Sequence, residues 1–260
     1  MNPRRFIHTV TLLILCLLAG RQACAQYYVG AKVGYGGGTA RLFPQQDMGY
    51  VWTYKNCGVS WKYYSAERVV GAVQVDLEWM ERGYQIRNDL YQGDSTTYFR
   101  HLNSVNIPFS WQPYVYFFKR HLRVFLNAGI NLSYNFSASE KRLSKSGSVI
   151  FDNKYDMQVN RDNRFGYGLS GGLGAGLLFG RLEYFVEGRY YYGYSDILKN
   201  RTIYQANPVR SQLDNINLSF GVFYRFGKGG ILAPTQAEVN AAKGTSGTTQ
   251  FQKMDSKDNK

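Results

Sequence analysis

Two carboxylates, Asp76 and Glu78, come closest in this sequence to a pair of catalytic residues. They stand two positions apart in a stretch that alternates between apolar and polar residues, so they share one face of a predicted strand. Paired carboxylates could carry out general acid–base catalysis. We instead expect a structural ion-pair network, because charged groups inside a folded protein need partners of opposite charge.

Other residues with catalytic or ligand chemistry are scattered. His101 and His121 lie far apart, without the spacing of metal ligands. The glycine run Gly166–Gly176 alternates strictly and opens no helix, which excludes a nucleotide-binding turn. We find no nucleophile motif and no redox pair, so the sequence predicts no enzyme, cofactor or metal. A hydrolase with a site scattered over a loop rim would leave no local pattern, and that alternative stays open.

The same glycine run indicates how the chain is built. From Phe165 to Phe179 most alternate residues are apolar and those between are mostly glycine, which predicts a β-strand with two distinct faces. Gly180-Arg181 then suits a two-residue hairpin turn. Counting outward from that turn places Glu187 opposite Gly174, Arg189 opposite Gly172, and Tyr191 opposite Ser170.

Large polar groups opposite residues with almost no side chain suit the crowded inside of a small closed barrel. The apolar face then points outward, which is typical of a barrel in a membrane. A soluble lipocalin-like barrel with the two faces reversed is the alternative. If the apolar face is outside, a set of charged residues lines the lumen as a structural network: Lys32, Lys62, Asp76, Glu78, Arg82, Arg123, Glu183, Glu187, Arg189 and Arg225.

The whole chain predicts an all-β fold, a transmembrane antiparallel up-and-down β-barrel of about eight strands. Short connections are expected at Ser65–Arg68, Phe117–His121 and Gly180-Arg181, and long polar ones at the other four places. This asymmetry predicts short periplasmic turns, long external loops and both chain ends on the periplasmic side. Pro108 lies within a strand, so we expect a bulge or a local break there. The strands are predicted at Tyr27–Gly36, Cys57–Tyr64, from Val69 on, Tyr98–Tyr116, Leu122–Phe136, Phe165–Phe179, Leu182–Tyr194 and Asn215–Phe226.

The N-terminus has the features of a cleaved export signal over residues 1–25. Arg4 and Arg5 precede the apolar segment Phe6–Gly20, and Ala23-Cys24-Ala25 supplies a cleavage site. Cleavage would leave Cys57 as the one cysteine, without an internal disulfide. The net charge is +13, and +10 once Arg4, Arg5 and Arg21 are removed. In an exported protein this charge favours anionic lipid headgroups or acidic surface polymers as partners over nucleic acid.

We therefore expect three segments: the signal at 1–25, the barrel at 26–227 and a polar periplasmic tail at 228–260. In the tail, Pro234, Thr235 and Glu238 have the pattern of a capping box before a short helix. The polar composition favours a disordered tail over a docking helix.

The last strand resembles the recognition signal of outer-membrane barrels, because Ser219 and Gly221 are followed by the alternating aromatics Tyr224 and Phe226. Gly221, Tyr224 and Phe226 are thus the expected barrel-assembly signal, and the barrel-assembly machinery an expected partner. Asn106-Ile107-Pro108, the strand from Asn127 to Tyr134, Gly168–Gly176 and Arg189–Ile197 also look like the PorT-like outer-membrane β-barrel family of Bacteroidetes.

That resemblance covers nearly all of Tyr27–Phe226. It implies a non-enzymatic protein of the cell outer membrane with a role in type IX protein secretion or envelope assembly. Outer-membrane lipid and secretion-system proteins are then its partners. The alternative is a small porin, or a surface-binding barrel whose external loops bind a ligand.

Overall fold

The computed structural model describes residues 26–64, 71–118, 121–199 and 209–226. The predicted signal, the turn at Ser65–Arg68 and the tail lie outside the described residues. The described residues contain no helix that is long and apolar enough to span a membrane. They form the strands β1 (Gln26–Phe43), β2 (Met48–Tyr64), β3 (Ala72–Tyr91), β4 (Asp94–Gln112), β5 (Tyr114–Phe117), β6 (Leu122–Ser144), β7 (Val149–Tyr155), β8 (Phe165–Phe179), β9 (Leu182–Gly193) and β10 (Arg210–Phe226).

Eight long antiparallel strands close into a barrel, as the sequence predicted. The strands are hydrogen-bonded in the order β4-β3-β2-β1-β10-β9-β8-β6, and pairing of β4 with β6 completes the ring. β5 continues the line of β4 beyond Pro113, because Trp111 opposite Ala128 and Tyr114 opposite Phe125 share one register. β7 folds back onto the outer part of β6 as a hairpin.

The β8–β9 hairpin has the register that the sequence predicted. Phe179 pairs with Leu182 across the turn, and Gly180 has the positive φ of 60° that such a turn favours. Further along, Glu187 lies opposite Gly174 and Arg189 opposite Gly172. Strict alternation on both strands leaves one register that keeps the charges inside.

The two faces of the barrel are also as predicted, with apolar side chains outside and polar ones inside. Val33 is 63% exposed and Leu173 is 64% exposed, whereas Lys62 and Arg123 are fully buried. The lipocalin-like alternative, with the apolar face inside, is therefore wrong. Exposed aromatic rings form two outer girdles, which is typical of transmembrane barrels. One girdle includes Trp61, Trp111, Phe179, Tyr184, Tyr224 and Phe226, and the other includes Tyr35, Trp52, Trp79, Tyr134, Tyr167 and Tyr194.

The two ends of the barrel differ. Tyr27 pairs with Phe226, so the described chain begins and ends at one end of the barrel, where Tyr64 also pairs with Ala72 and Phe179 with Leu182. We call this the turn end, and the opposite one the loop end. The first and last described strands thus end on one side, as the predicted topology requires, and the periplasmic location of the chain ends stays a prediction.

At the loop end the strands are longer than predicted. β3 continues past Trp79 to Tyr91 and turns at Gln92-Gly93 into β4, where we expected a loop over Gln85–Thr97. The expected loops at 37–56, Ser137–Asn163 and Ser195–Asp214 likewise contain strand residues. Beyond the girdle the outward side chains meet water, so apolar alternation fades although the backbone ladder continues.

Pro108 causes a local break but no bulge. The ladder between β3 and β4 lacks the pairs at Pro108 and Ile107 and resumes in the same register. A bulge lies instead in β2, where the register shifts between Gly34 and Gly36 of the neighbouring strand and both Tyr54 and Lys55 are exposed. The missing N–H of proline removes ladder bonds, while its extended backbone still fits the strand.

Candidate functional site: the charged interior of the barrel

The centre of the lumen holds an ion cluster of three carboxylates and two cations. Lys32 Nζ lies 2.8 Å from Asp76 Oδ2, 2.6 Å from Glu78 Oε1 and 2.9 Å from Glu187 Oε1. Arg189 reaches the same three acids, at 2.7 Å from Asp76 Oδ2, 3.0 Å from Glu187 Oε2 and 3.6 Å from Glu78 Oε1. Strands β1, β3 and β9 supply these groups, so the cluster ties three distant strands together. We refer to it as the central cluster.

Neutral polar side chains complete the central cluster. Tyr191 donates its hydroxyl to Glu78 at 2.8 Å, and Asn127 donates to Glu187 Oε2 at 3.1 Å. Gln74 donates to Asp76 Oδ1 at 2.7 Å and accepts from Gln112 at 2.6 Å. Each carboxylate is therefore both paired and hydrogen-bonded, which a buried charge requires. Of the cations predicted to line the lumen, Lys32 and Arg189 are the two that Glu187 contacts among the described residues.

A second group of charges lies toward the turn end. The guanidinium of Arg123 contacts the carboxylate of Glu183, and Lys62 Nζ lies 3.8 Å from Glu183. Aromatic rings surround these cations: Lys62 Nζ is 4.1 Å from the ring centre of Phe223, and the Arg123 guanidinium 4.1 Å from that of Tyr64. Such contacts stabilise a desolvated cation. The buried rings Tyr28, Tyr64, Phe125, Phe185 and Phe223 fill this end of the lumen.

The other two predicted lumen residues, Arg82 and Arg225, are also buried. Arg82 donates to Asn135 at 2.9 Å, and Arg225 is buried near the turn end. The sequence analysis did not predict Arg100 as a lumen residue, because it expected a loop over Gln85–Thr97, just before this position. It is buried, and its guanidinium lies 3.8 Å from the ring centre of Tyr155.

The loop end is closed by a small hydrophobic core that the sequence did not predict. Met157 and Ile197, from the connections before β8 and after β9, pack against residues of the barrel wall. Backbone bonds hold these connections in place, from Asn163 N to the Ile197 carbonyl at 2.8 Å and from Ile197 N to the Ser211 carbonyl at 2.8 Å. The wall residues of this core are Ala40, Tyr84, Tyr98, Leu102, Ala138 and Leu213.

The lumen is thus filled at both ends and ion-paired in the middle. Two cavities in it, one lined by Arg82 and one by Lys32, have volumes of about 20 and 10 Å³. Each has room for about one water-sized species. The described interior therefore provides neither a channel nor a pocket for an organic substrate.

A polar cluster on the outer wall lies just beyond the girdle residue Trp79. Thr53 donates to Glu81 at 2.9 Å, His101 Nδ1 lies 3.2 Å from Glu81, and Lys55 Nζ lies 3.2 Å from it. The contact with His101 holds the pKa of Glu81 well below its usual value, at about 2. Among the described residues no hydroxyl or thiol hydrogen-bonds to His101, so the cluster lacks the nucleophile–base contact of an acyl-transfer site. The described residues also include no metal-ligand cluster.

The expected assembly signal lies at the turn end of β10. Tyr224 and Phe226 are exposed on the outer face, with ring centres 4.9 Å apart. Gly221 faces inward, and a Cβ there would lie 2.5 Å from Phe185. The glycine therefore makes room for the aromatic filling, while the two rings belong to the outer girdle.

Comparison with solved structures found similar proteins of the outer membrane. Neisserial surface protein A is 14% identical, with 77% of this chain and 97% of that chain covered and a TM-score of 0.39. A major outer membrane protein from Thermus thermophilus is 12% identical, with 79% and 100% covered and a TM-score of 0.46. OprG from Pseudomonas aeruginosa is 11% identical, with 78% and 95% covered and a TM-score of 0.37. Likeness at this level says nothing about activity.

Sequence comparison identifies the family. A search of curated protein sequences found no significant match. The family model described as "Outer membrane protein beta-barrel domain" matches residues 25–199. Because this match covers more than half of the chain, the protein belongs to the outer membrane protein beta-barrel domain family and is a protein of the outer membrane.

Proposed function

We propose that the protein is a non-enzymatic, non-conducting barrel that acts through its surfaces, as a component or partner of type IX protein secretion or of envelope assembly. The observation that carries the first part is the filled lumen. Lys32 and Arg189 each contact three carboxylates there, and aromatic or aliphatic side chains fill both ends. A barrel of this kind is held in the membrane by its wall. The strand segments that extend beyond the girdle at the loop end can then bind other proteins.

The resemblance to the PorT-like family supports the secretion role. The segments that carry it also build the charged interior: Asn127 and Arg189 belong to the central cluster, and Asn106 is fully buried between β3 and β6. These segments therefore indicate a shared barrel interior, and the role in secretion rests on the resemblance alone.

Deletion of the gene tests the secretion role. In the deletion strain we expect type IX cargo to accumulate in the periplasm, and the wild-type gene supplied in trans should restore its export. A matched variant, Val149→Asp with Ile150→Asp on β7, keeps the barrel wall and changes an exposed surface. Normal export of all type IX cargo without the protein would remove the secretion role and leave only the barrel.

The assembly partner has its own test at the end of β10. Replacing Phe226 with Ala removes the terminal aromatic of the expected signal and leaves the lumen untouched, since this ring is 49% exposed. We expect less folded barrel in the outer membrane, while refolding of the purified variant into detergent is unchanged. Equal loss in both assays would assign Phe226 to stability and not to recognition by the assembly machinery.

A surface-binding barrel is the second candidate, and one observation favours it. β7 pairs with β6 along one edge, its other edge carries no strand among the described residues, and Val149 and Ile150 are exposed. An open strand edge offers backbone hydrogen bonds to an extended segment of a partner. Pull-down of a defined envelope protein by the wild type but not by the β7 variant, with secretion intact in the deletion strain, would favour this function over the first.

A further inference from the structure

The charges in the lumen do not balance. Among the described residues, the barrel strands direct seven buried cations and four buried carboxylates inward. The carboxylates are Asp76, Glu78, Glu183 and Glu187, and the cations are Lys32, Lys62, Arg82, Arg100, Arg123, Arg189 and Arg225. Two further acids lie near Arg100, namely Glu140, which binds Tyr98, and Asp162, which binds Tyr155. An excess of buried positive charge is costly in a low-dielectric interior unless an anion is bound.

Arg82 is the cation whose surroundings show where such an anion would lie. Its side chain is 6% exposed, and no carboxylate of the described residues lies within 4.0 Å of its guanidinium nitrogens. Its one hydrogen bond is from Nη2 to Asn135 Oδ1 at 2.9 Å, and Nε has no protein partner. By contrast, Arg123 and Arg189 each contact a carboxylate directly.

Arg82 lines the cavity of about 20 Å³ beneath the loop-end core. Ser133 and Ser195 line the same cavity and can point hydroxyl protons into it. Ser195 Oγ already accepts a bond from Tyr167 N at 3.0 Å, so its own proton is available to donate. Gly166 keeps the space open, because a Cβ there would lie 2.5 Å from Ser133 Oγ and 3.0 Å from Ser195 Oγ.

We propose that this cavity is a binding site for a single halide ion, chloride in the natural setting, held by Arg82 and by the hydroxyls of Ser133 and Ser195. Size favours this ligand, because the cavity has a volume of about 20 Å³ and a monatomic anion needs less room than sulfate or phosphate. Charge selects it as well, since water would leave the guanidinium uncompensated.

This site adds a ligand to the proposed function and does not depend on it. Ser195 belongs to the connection that covers the loop end, where Asp196 accepts from Ser211 N at 2.6 Å. A bound halide would therefore link β3 and β6 of the wall to this connection, and it would stabilise the closed state of the lumen.

The test is equilibrium unfolding of the full chain in lipid vesicles at constant ionic strength, with gluconate replaced stepwise by chloride or bromide. For one site, the ratio of folded to unfolded protein rises about tenfold for each tenfold rise in halide above the dissociation constant. We expect this dependence on halide in the wild type, and no such dependence on sulfate. Arg82→Gln should abolish it. Arg87→Gln removes a charge from the same strand at an exposed position and should keep it.

Two further measurements keep the test decisive if Arg82→Gln does not fold. Gly166→Ala fills the cavity without a change of charge, and it should reduce the halide response. Crystals grown in bromide should show an anomalous peak beside Arg82. A halide response that survives in both variants, or bromide peaks only outside the cavity, would overturn the proposal and leave water as the occupant.

Discussion

Replacing Gly172 with Leu should disrupt the barrel far more than the same change at Gly171. A Cβ on Gly172 would overlap the carbonyl oxygen of Gly188 and lie 2.9 Å from the Cα of Arg189, so β9 would have to move. A Cβ on Gly171 points to the outer face and has Asn127 O as its nearest neighbour, at 3.8 Å. These two glycines are neighbours in sequence, and only the face differs.

The expected magnitude follows from what β9 carries. Overpacking a filled interior costs about 1–3 kcal/mol. Moving Arg189 away from Asp76 also breaks a buried ion pair, which costs about 3–5 kcal/mol when one partner is lost. We therefore expect Gly172→Leu to lower the free energy of unfolding by at least about 3 kcal/mol, and Gly171→Leu to change it by less than about 0.5 kcal/mol.

Urea unfolding of each variant in lipid vesicles, followed by tryptophan fluorescence, measures this difference. If Gly172→Leu fails to fold at all while Gly171→Leu folds normally, the faces are still assigned correctly. Equal free energies of unfolding for the two variants would show that the crowded face is not inside the barrel, and the reasoning from glycine to lumen would be refuted.

Three further predictions follow from the interior and the rim. Lys32→Met removes a cation that three carboxylates share, and it should lower the free energy of unfolding by about 3–5 kcal/mol in the same urea titration. A loss below about 1 kcal/mol would mean that Arg189 alone suffices to pair the three carboxylates. In planar bilayers the wild type should show no stable single-channel conductance, and steady conductance steps would contradict the filled lumen. The stability that Glu81 contributes is present above the usual pKa of 4.5 and is lost as the pH falls toward about 2. The wild type should therefore lose more stability than Glu81→Gln between pH 5 and pH 2. Equal losses would show that the contact with His101 is not maintained.

The hairpin of β8 and β9 could be predicted in full because two local features determine it. Gly180-Arg181 sets the turn, and strict alternation sets the face, so the pairing of Glu187 with Gly174 follows by counting. Closure into about eight strands and the outward apolar face follow from the same alternation in the other strands.

Which inward charges meet could not be predicted, because that depends on the stagger of the strands around the barrel. Lys32 reaches Asp76 and Glu187 from strands far apart in sequence, and counting along one hairpin cannot give that contact. The loop-end core could not be predicted for another reason. Met157 and Ile197 lie in irregular connections, where no periodicity indicates which side chains turn inward.

The pairing of β1 with β10 has a consequence for how the protein is made. The two strands share seventeen residue pairs, from Tyr27 with Phe226 to Phe43 with Arg210, yet among the described strands they are the first and the last to leave the ribosome. Until β10 has been synthesised, β1 exposes an unpaired edge, and no partial chain can close into a ring. The strands of the barrel must therefore stay open, and shielded from aggregation, until β10 has been synthesised. Because β10 also carries Tyr224 and Phe226, recognition of that strand would select only chains that already have everything needed for closure.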